Sequence, residues 1–311
     1  MKIRLGYVAM CRSHEMPFKT ITYTEYKKQE NQDKLKEIIV YNLENTLRIL
    51  HYNSKNNVHF YRMTSNLIPL ATKEDVEFNY ITPYLSYYKQ IGEIVNKKQM
   101  RVDFHPDQYV VLNSTKEEVK ENAKRILFYH ASLLKAMHIQ NPLLVLHVGS
   151  SVLGKQNSLK RFINTFKSLP EEIGQMIALE NDDKTFDIKD VLYICETLHI
   201  RMVLDYHHYL CNMGGLDIQD YLSRIFATWK EETPKIHFSS PKNHTKKDIR
   251  SHHDYIDVDA FIKFVEMLRP YQTDVDIMLE AKEKDMALFK LVRELKYKTN
   301  YTFLDDTTFI I

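Results

Sequence analysis

Histidine, aspartate and glutamate recur in this sequence at one kind of place, the C-terminal end of a short apolar run. The instances are Asp103-Phe104-His105, Leu146-His147, Leu179-Glu180, Leu204-Asp205 with His208 three residues on, His237 within the run 235–239, and Leu279-Glu280. Alone, each is ordinary: a histidine near a strand end usually has a structural hydrogen bond, and a glutamate there usually has a salt-bridge partner. Together they are not ordinary, because burying several carboxylates and imidazoles without a cation costs too much. Shared divalent ions resolve that cost. Histidine plus carboxylate without cysteine suits Zn²⁺ or Mn²⁺ better than a thiolate structural site. Glu180 can bridge two ions. His252 and Asp254 can add to a third with His208, against the plainer reading of a solvated turn. His207 and His253 adjoin candidate ligands; neighbours on a strand point apart, a rule that loop residues escape. Clustered cations can activate a water and stabilise charge on an attacked phosphate. They serve phosphodiester cleavage and sugar isomerisation alike, so the ligands alone do not separate the two.

Eight runs rich in Val, Ile, Leu and Phe carry this pattern: 3–9, 58–63, 100–105, 143–148, 176–180, 201–205, 235–239 and 275–280. Nearly continuous apolar character suits strands covered on both faces, as in a parallel sheet. Helical stretches fall between them, at 33–51, 83–97, 116–138, 156–168, 187–198, 217–230, 257–269 and 284–298. Ser114 or Thr115 is expected to cap the third, and Asp187, Asp217 and Asp257 to cap or open theirs. Eight β-then-α units over 311 residues predict a single (β/α)8 TIM barrel, one domain over 1–311, with the candidate ligands on the C-terminal face of the strands. An open doubly wound sheet is the alternative, but the first unit lacks the glycine-rich dinucleotide fingerprint. Two long connections, 10–32 and 240–255, belong on the same face and carry Tyr and Lys/Arg suited to phosphate contacts, although solvated loops carry such charges too. The segment 301–311 has strand-like character without an assigned place.

The net charge of +2 neither demands nor excludes nucleic acid. Three cysteines without a CxxC pair indicate reduced thiols and a cytoplasmic protein. No apolar run is long enough to span a bilayer, and no signal peptide is expected. A monomer without a protein partner is the expectation.

Several segments together are specific. His105-Pro106-Asp107-Gln108-Tyr109 resembles the HPDQY motif of UV damage endonucleases. Arg4-Leu5-Gly6-Tyr7, Tyr61-Arg62-Met63-Thr64-Ser65, Leu146-His147-Val148-Gly149, Leu179-Glu180-Asn181-Asp182, Asp205-Tyr206-His207-His208 and Lys235-Ile236-His237-Phe238-Ser239 extend the resemblance over most of the chain. It implies a barrel related to endonuclease IV with up to three divalent ions, often Mn²⁺, with Zn²⁺, Mg²⁺ or Co²⁺ as alternatives. It implies cleavage of damaged double-stranded DNA just 5′ of UV photoproducts. The implied ligands are His105, His147, Glu180, Asp205, His208, His237, His252 and Glu280, with Glu180, Lys235 and Glu280 in the catalytic apparatus. Gln108 and Tyr109 would form a wedge entering the duplex at the lesion, where stacking is already weak. Tyr7 would lie near the extruded lesion. The resemblance also implies a carboxylated Lys235, for which a plain salt bridge to Asp205 or Glu280 is the simpler reading. Two departures stand out. Endonuclease IV has an aspartate where this chain has Arg250, and Cys11 occupies a place where a polar lesion contact is expected.

Overall fold

The structure, a computed structural model, describes residues 1–29, 32–106, 110–243, 245 and 248–311. All eight expected runs are strands: β1 (Lys2–Val8), β2 (Phe60–Met63), β3 (Arg101–Phe104), β4 (Leu144–His147), β5 (Ile177–Glu180), β6 (Arg201–Asp205), β7 (Lys235–Phe238) and β8 (Val275–Leu279). Each pairs in parallel with the next, and β1 pairs with both β8 and β2, which closes the barrel. The segment 301–311 is an antiparallel hairpin, β9 (Thr302–Phe303) and β10 (Thr308–Ile310). β10 pairs with residues 2–4 of β1, whereas β2 pairs with residues 6–8. The hairpin therefore fills the lower stretch of β1 that the barrel's stagger leaves unpaired.

The helices are α1 (Tyr23–Gln29), α2 (Gln32–Lys55), α3 (Leu85–Lys97), α4 (Glu117–Ala136), α5 (Lys155–Phe166), α6 (Glu171–Gly174), α7 (Ile188–Leu198), α8 (Tyr206–Cys211), α9 (Gln219–Ala227), α10 (Val258–Leu268) and α11 (Lys284–Lys298). No helix among the described residues is long and apolar enough to cross a membrane. Asp187 caps α7 in a reciprocal capping box with Asp190, and Asp257 caps α10. For α4 the expected cap is displaced. Lys116 holds the cap position without a side-chain bond, while Ser114 Oγ accepts only from Lys116 N.

The apolar core lies between barrel and helices, where Leu5, Tyr61, Phe104 and Leu146 meet residues such as Leu43, Leu127 and Phe162. The barrel interior is more polar than branched aliphatic layers would make it. At its base, Arg4 donates twice to Asp276 (2.6 and 2.7 Å) and Arg101 donates to the same carboxylate at 2.8 Å. Above them Val145, Ala178 and Val203 fill one side and Phe60 and Met278 the other. The upper ring carries the chemistry.

Candidate metal centre

Strand alternation sets which side chains reach that ring. On β3 Asp103 shares the inner face with the following His105; on β7 Lys235 shares it with His237; Glu280 follows β8 directly. Glu180, closing β5, is the centre. Its Oε2 lies 2.9 Å from His105 Nε2 and 4.0 Å from His147 Nε2. Its Oε1 lies 3.1 Å from His237 Nδ1 and 3.3 Å from His208 Nδ1. Asp205 Oδ2 is 3.7 Å from His208 Nδ1 and 4.0 Å from His237 Nδ1, and Glu280 Oε1 is 3.4 Å from His237 Nδ1. Three overlapping sets of ligand atoms result: His105–His147–Glu180, Glu180–Asp205–His208 and Asp205–His237–Glu280. Glu180 belongs to two of them, and so does Asp205.

The backbone around the ring orients these groups. His105 Nδ1 donates to the Pro106 carbonyl at 3.1 Å, which leaves Nε2 as the nitrogen facing Glu180. Ser65 Oγ, after β2, donates to the His105 carbonyl at 2.6 Å. Asn181 exchanges two 2.9 Å bonds with the Asp205 backbone, and its own carbonyl accepts from His208 Nδ1 at 2.9 Å. Such partners fix the ring orientation of metal-binding histidines.

The electrostatics call for cations. Burial, reinforced by repulsion from Glu180 and Glu280, pushes the Asp205 carboxyl well above the usual carboxylate range. Its Oδ2 is buried with no hydrogen-bond donor among the described residues. Burial works against ionised Glu180 too, but His237, His147 and the hydrogen bonds from His105 and His208 hold it well below its ordinary value. Although burial opposes it, Asp205 and Glu180 raise His208 to about 11. The buried, donorless Asp205 oxygen and the convergent imidazoles fit divalent ions, which satisfy carboxylate oxygens and neutral histidine nitrogens at once.

The remaining expected residues divide. His252 stands at the edge, with Nδ1 3.9 Å from Glu280 Oε2. Asp254 is turned to Lys282 at 3.8 Å, and Arg250 pairs with Asp183 at 3.4 Å, so neither joins the ring. His207 packs edge-on to His252, and His253 accepts from Tyr255 N; neither lies in the ligand sets. Gln108 and Tyr109 lie outside the described residues. Tyr7 requires a correction. Arg4 faces the barrel interior, so alternation sends Tyr7 outward. Fully buried, it donates to Asn53 Oδ1 of α2 at 2.6 Å, and it offers no surface to an extruded lesion. Lys235 is also corrected: its partner is Asp103, 2.5 Å from Nζ, not Asp205 or Glu280. Burial pulls this lysine down to about 8 despite Asp103. Cys11 is buried 3.3 Å from Asp285 Oδ2, and burial pushes its thiol up to about 11.

The UV-endonuclease UvdE family matches residues 3–305. The UV DNA damage endonuclease of Bacillus velezensis is 41% identical over 304 residues, 95% of this chain and 94% of the relative. The chain belongs to the UvdE family of UV endonucleases. The crystal structure of SacUVDE superposes with a TM-score of 0.87 at 35% identity, covering 95% of this chain and 98% of the other. Endonuclease IV from Thermus thermophilus shares the fold, with a TM-score of 0.58 at 11% identity over 95% of this chain and all (100%) of that one. This UvdE member is thus a DNA-repair endonuclease on a closed parallel barrel.

Two members of its upper ring lie outside the three ligand sets. Arg62 on β2 donates from Nη1 to Glu280 Oε1 at 2.6 Å, and its Nη2 lies 2.7 Å from His237 Nε2. Asp103, fully buried, faces both Arg62 Nε at 3.4 Å and Lys235. The signal available in the sequence was alternation: Arg62 lies on a strand otherwise buried throughout, and Asp103 two residues before a ligand.

Proposed function

We propose that this chain cuts the DNA backbone immediately 5′ of UV photoproducts, cyclobutane pyrimidine dimers and 6-4 photoproducts foremost and abasic sites among further substrates, by multi-metal hydrolysis that leaves a 3′-hydroxyl and a 5′-phosphate. The carrying observation is that Glu180 and Asp205 each belong to two ligand sets. Carboxylates shared in this way hold neighbouring ions close, as in-line displacement at a phosphodiester requires.

His105 and His147 would hold one ion with Glu180, His208 a second with Glu180 and Asp205, and His237 and Glu280 a third with Asp205; His252 extends the last toward the rim. The histidine–carboxylate set supports Mn²⁺, with Zn²⁺, Mg²⁺ and Co²⁺ as competitors. Bound there, the ions supply an activated water and charge stabilisation at the phosphate. The chain's part is to fix these ligands and keep Glu180 ionised. Arg62 and Lys235 together leave the four carboxylates Asp103, Glu180, Asp205 and Glu280 in excess, so the ring attracts cations even beside two basic side chains. Lys235 touches none of the ligands as an ammonium. Its lowered pKa supports the carboxylation that the family resemblance implies, whereas Asp103 opposes a second anion beside it. A carbamate signal in ¹³C NMR under labelled CO₂ would assign it to the catalytic apparatus; no signal makes it the counter-ion of Asp103.

The HPDQY resemblance supports a wedge of Gln108 and Tyr109, whose side chains offer an aromatic face to replace lost stacking and an amide for the orphaned bases. Replacing both with alanine is expected to weaken binding to a damaged duplex at least tenfold with unchanged metal content. Equal binding removes the wedge. A sugar-acting reading has no observation in its favour within this family.

The test is incision mapping on an end-labelled duplex with one cyclobutane dimer. The expected product is a single cut at the phosphodiester 5′ of the dimer, with a 3′ end that a polymerase extends directly. Cutting elsewhere, or equally in undamaged duplex, contradicts the proposal.

A further inference from the structure

Six of the eight strands, β3 to β8, bring ligand-type side chains to the upper ring, and β2 brings a guanidinium instead. Arg62 is largely buried (9% exposed) on a strand whose four residues are all buried, and its three nitrogens face three different groups of the ring. Nη1 donates to Glu280 Oε1 at 2.6 Å, and Nη2 approaches His237 Nε2 at 2.7 Å. Nε stands 3.4 Å from Asp103 Oδ1 without a formed hydrogen bond, so the grip is at the outer end of the fork. Glu280 and His237 come from neighbouring strands and belong to the same ligand set, completed by Asp205. The guanidinium can only donate: on Glu280 it holds Oε1 in a charge-assisted bond, whereas on His237 it meets the Nε2 lone pair and leaves Nδ1 as the N–H, so Glu280 is the ligand it can orient.

Two effects oppose each other. A cation beside a metal site repels the incoming ion, whereas a group that orients a ligand raises affinity by removing the cost of ordering it. Here the charge is already compensated: Arg62 sits among Asp103, Glu280 and Glu180, so little net repulsion remains. Orientation wins. We infer that Arg62 is a positioning residue that presets Glu280 for the ion it shares with His237 and Asp205. This inference rests on the metal-centre reading above and adds a group that holds a ligand without being one.

The experiment counts ions without DNA. Metal-stripped wild type, Arg62→Ala and Arg62→Lys are titrated with Mn²⁺ by calorimetry, with bound metal checked by elemental analysis and folding by circular dichroism. Removing such an orienting partner is expected to cost roughly 10–100-fold in affinity for one ion. The ion held by His105, His147 and Glu180 should keep its affinity to within about twofold. Added guanidinium should restore the weakened ion in Arg62→Ala, and Arg62→Lys should fall between. Rescue by the free cation separates positioning from a general packing role. Removing Arg62 leaves Asp103 and Glu280 short of a partner; if the alanine variant does not fold, Arg62→Lys decides, and unchanged affinity in it overturns the inference. Equal or tighter binding by a folded alanine variant overturns it too. A wild type that takes up no ion defeats the metal-centre reading as well, so the two failures are distinguishable.

Discussion

In the proposed mechanism Glu180 is the residue on which the chemistry turns, because two candidate ligand sets meet on its carboxylate. Glu180→Gln keeps the shape and removes the charge. It is expected to lower nicking at least a thousandfold and to reduce bound metal, read by elemental analysis; full metal content with normal nicking would contradict the shared-carboxylate geometry. At this scale the sequence was readable where a ligand-type residue ended an apolar run: His105, His147, Glu180, Asp205, His237 and Glu280 converge as expected. It was not readable where the role depends on a partner far along the chain. Arg62 and Glu280 are 218 residues apart, and Asp103 and Lys235 are 132 apart. No local pattern encodes such pairs. Tyr7 adds a second limit: a motif carries no record of which strand face a residue takes, and here alternation turns Tyr7 toward α2.

The elements were legible because a buried parallel strand and an amphipathic helix differ in period and length. The segment 301–311 showed strand character but not its place, because two- and three-residue strands carry no signal of the partner they pair with. Close helix packing was equally invisible. A Cβ at Gly92 on α3 would lie 1.7 Å from the Met137 carbonyl oxygen at the end of α4. Helix propensity alone predicts that Gly92→Ala stabilises by ~1 kcal/mol. Overpacking against backbone costs about 3 kcal/mol and wins, so the variant should be less stable by about 2 kcal/mol. Urea unfolding measures this, and a stabilised variant would show that α3 and α4 can part cheaply.

Over the whole molecule, stability should depend on pH through buried neutral histidines. His130 on α4 is buried, donates from Nδ1 to the Ile126 carbonyl at 2.8 Å, and is held down to about 4 by burial. Unfolded, it titrates near ~6.5. Between those values the unfolded chain binds more protons, so its contribution is present above pH ~6.5 and is lost as pH falls toward 4, up to ~3 kcal/mol. His130→Phe should flatten the fall in denaturation midpoint over that window; an unchanged slope would assign the effect elsewhere. The same fold that buries these groups brings β3 to β8 to one mouth, and the proposed incision at a lesion rests on that convergence. The most direct test is the single-turnover incision rate on a dimer-containing duplex against the number of Mn²⁺ ions bound per chain. The rate should stay near zero until a second ion binds beside the first across a shared carboxylate. A full rate with one ion, or with none, would contradict the account.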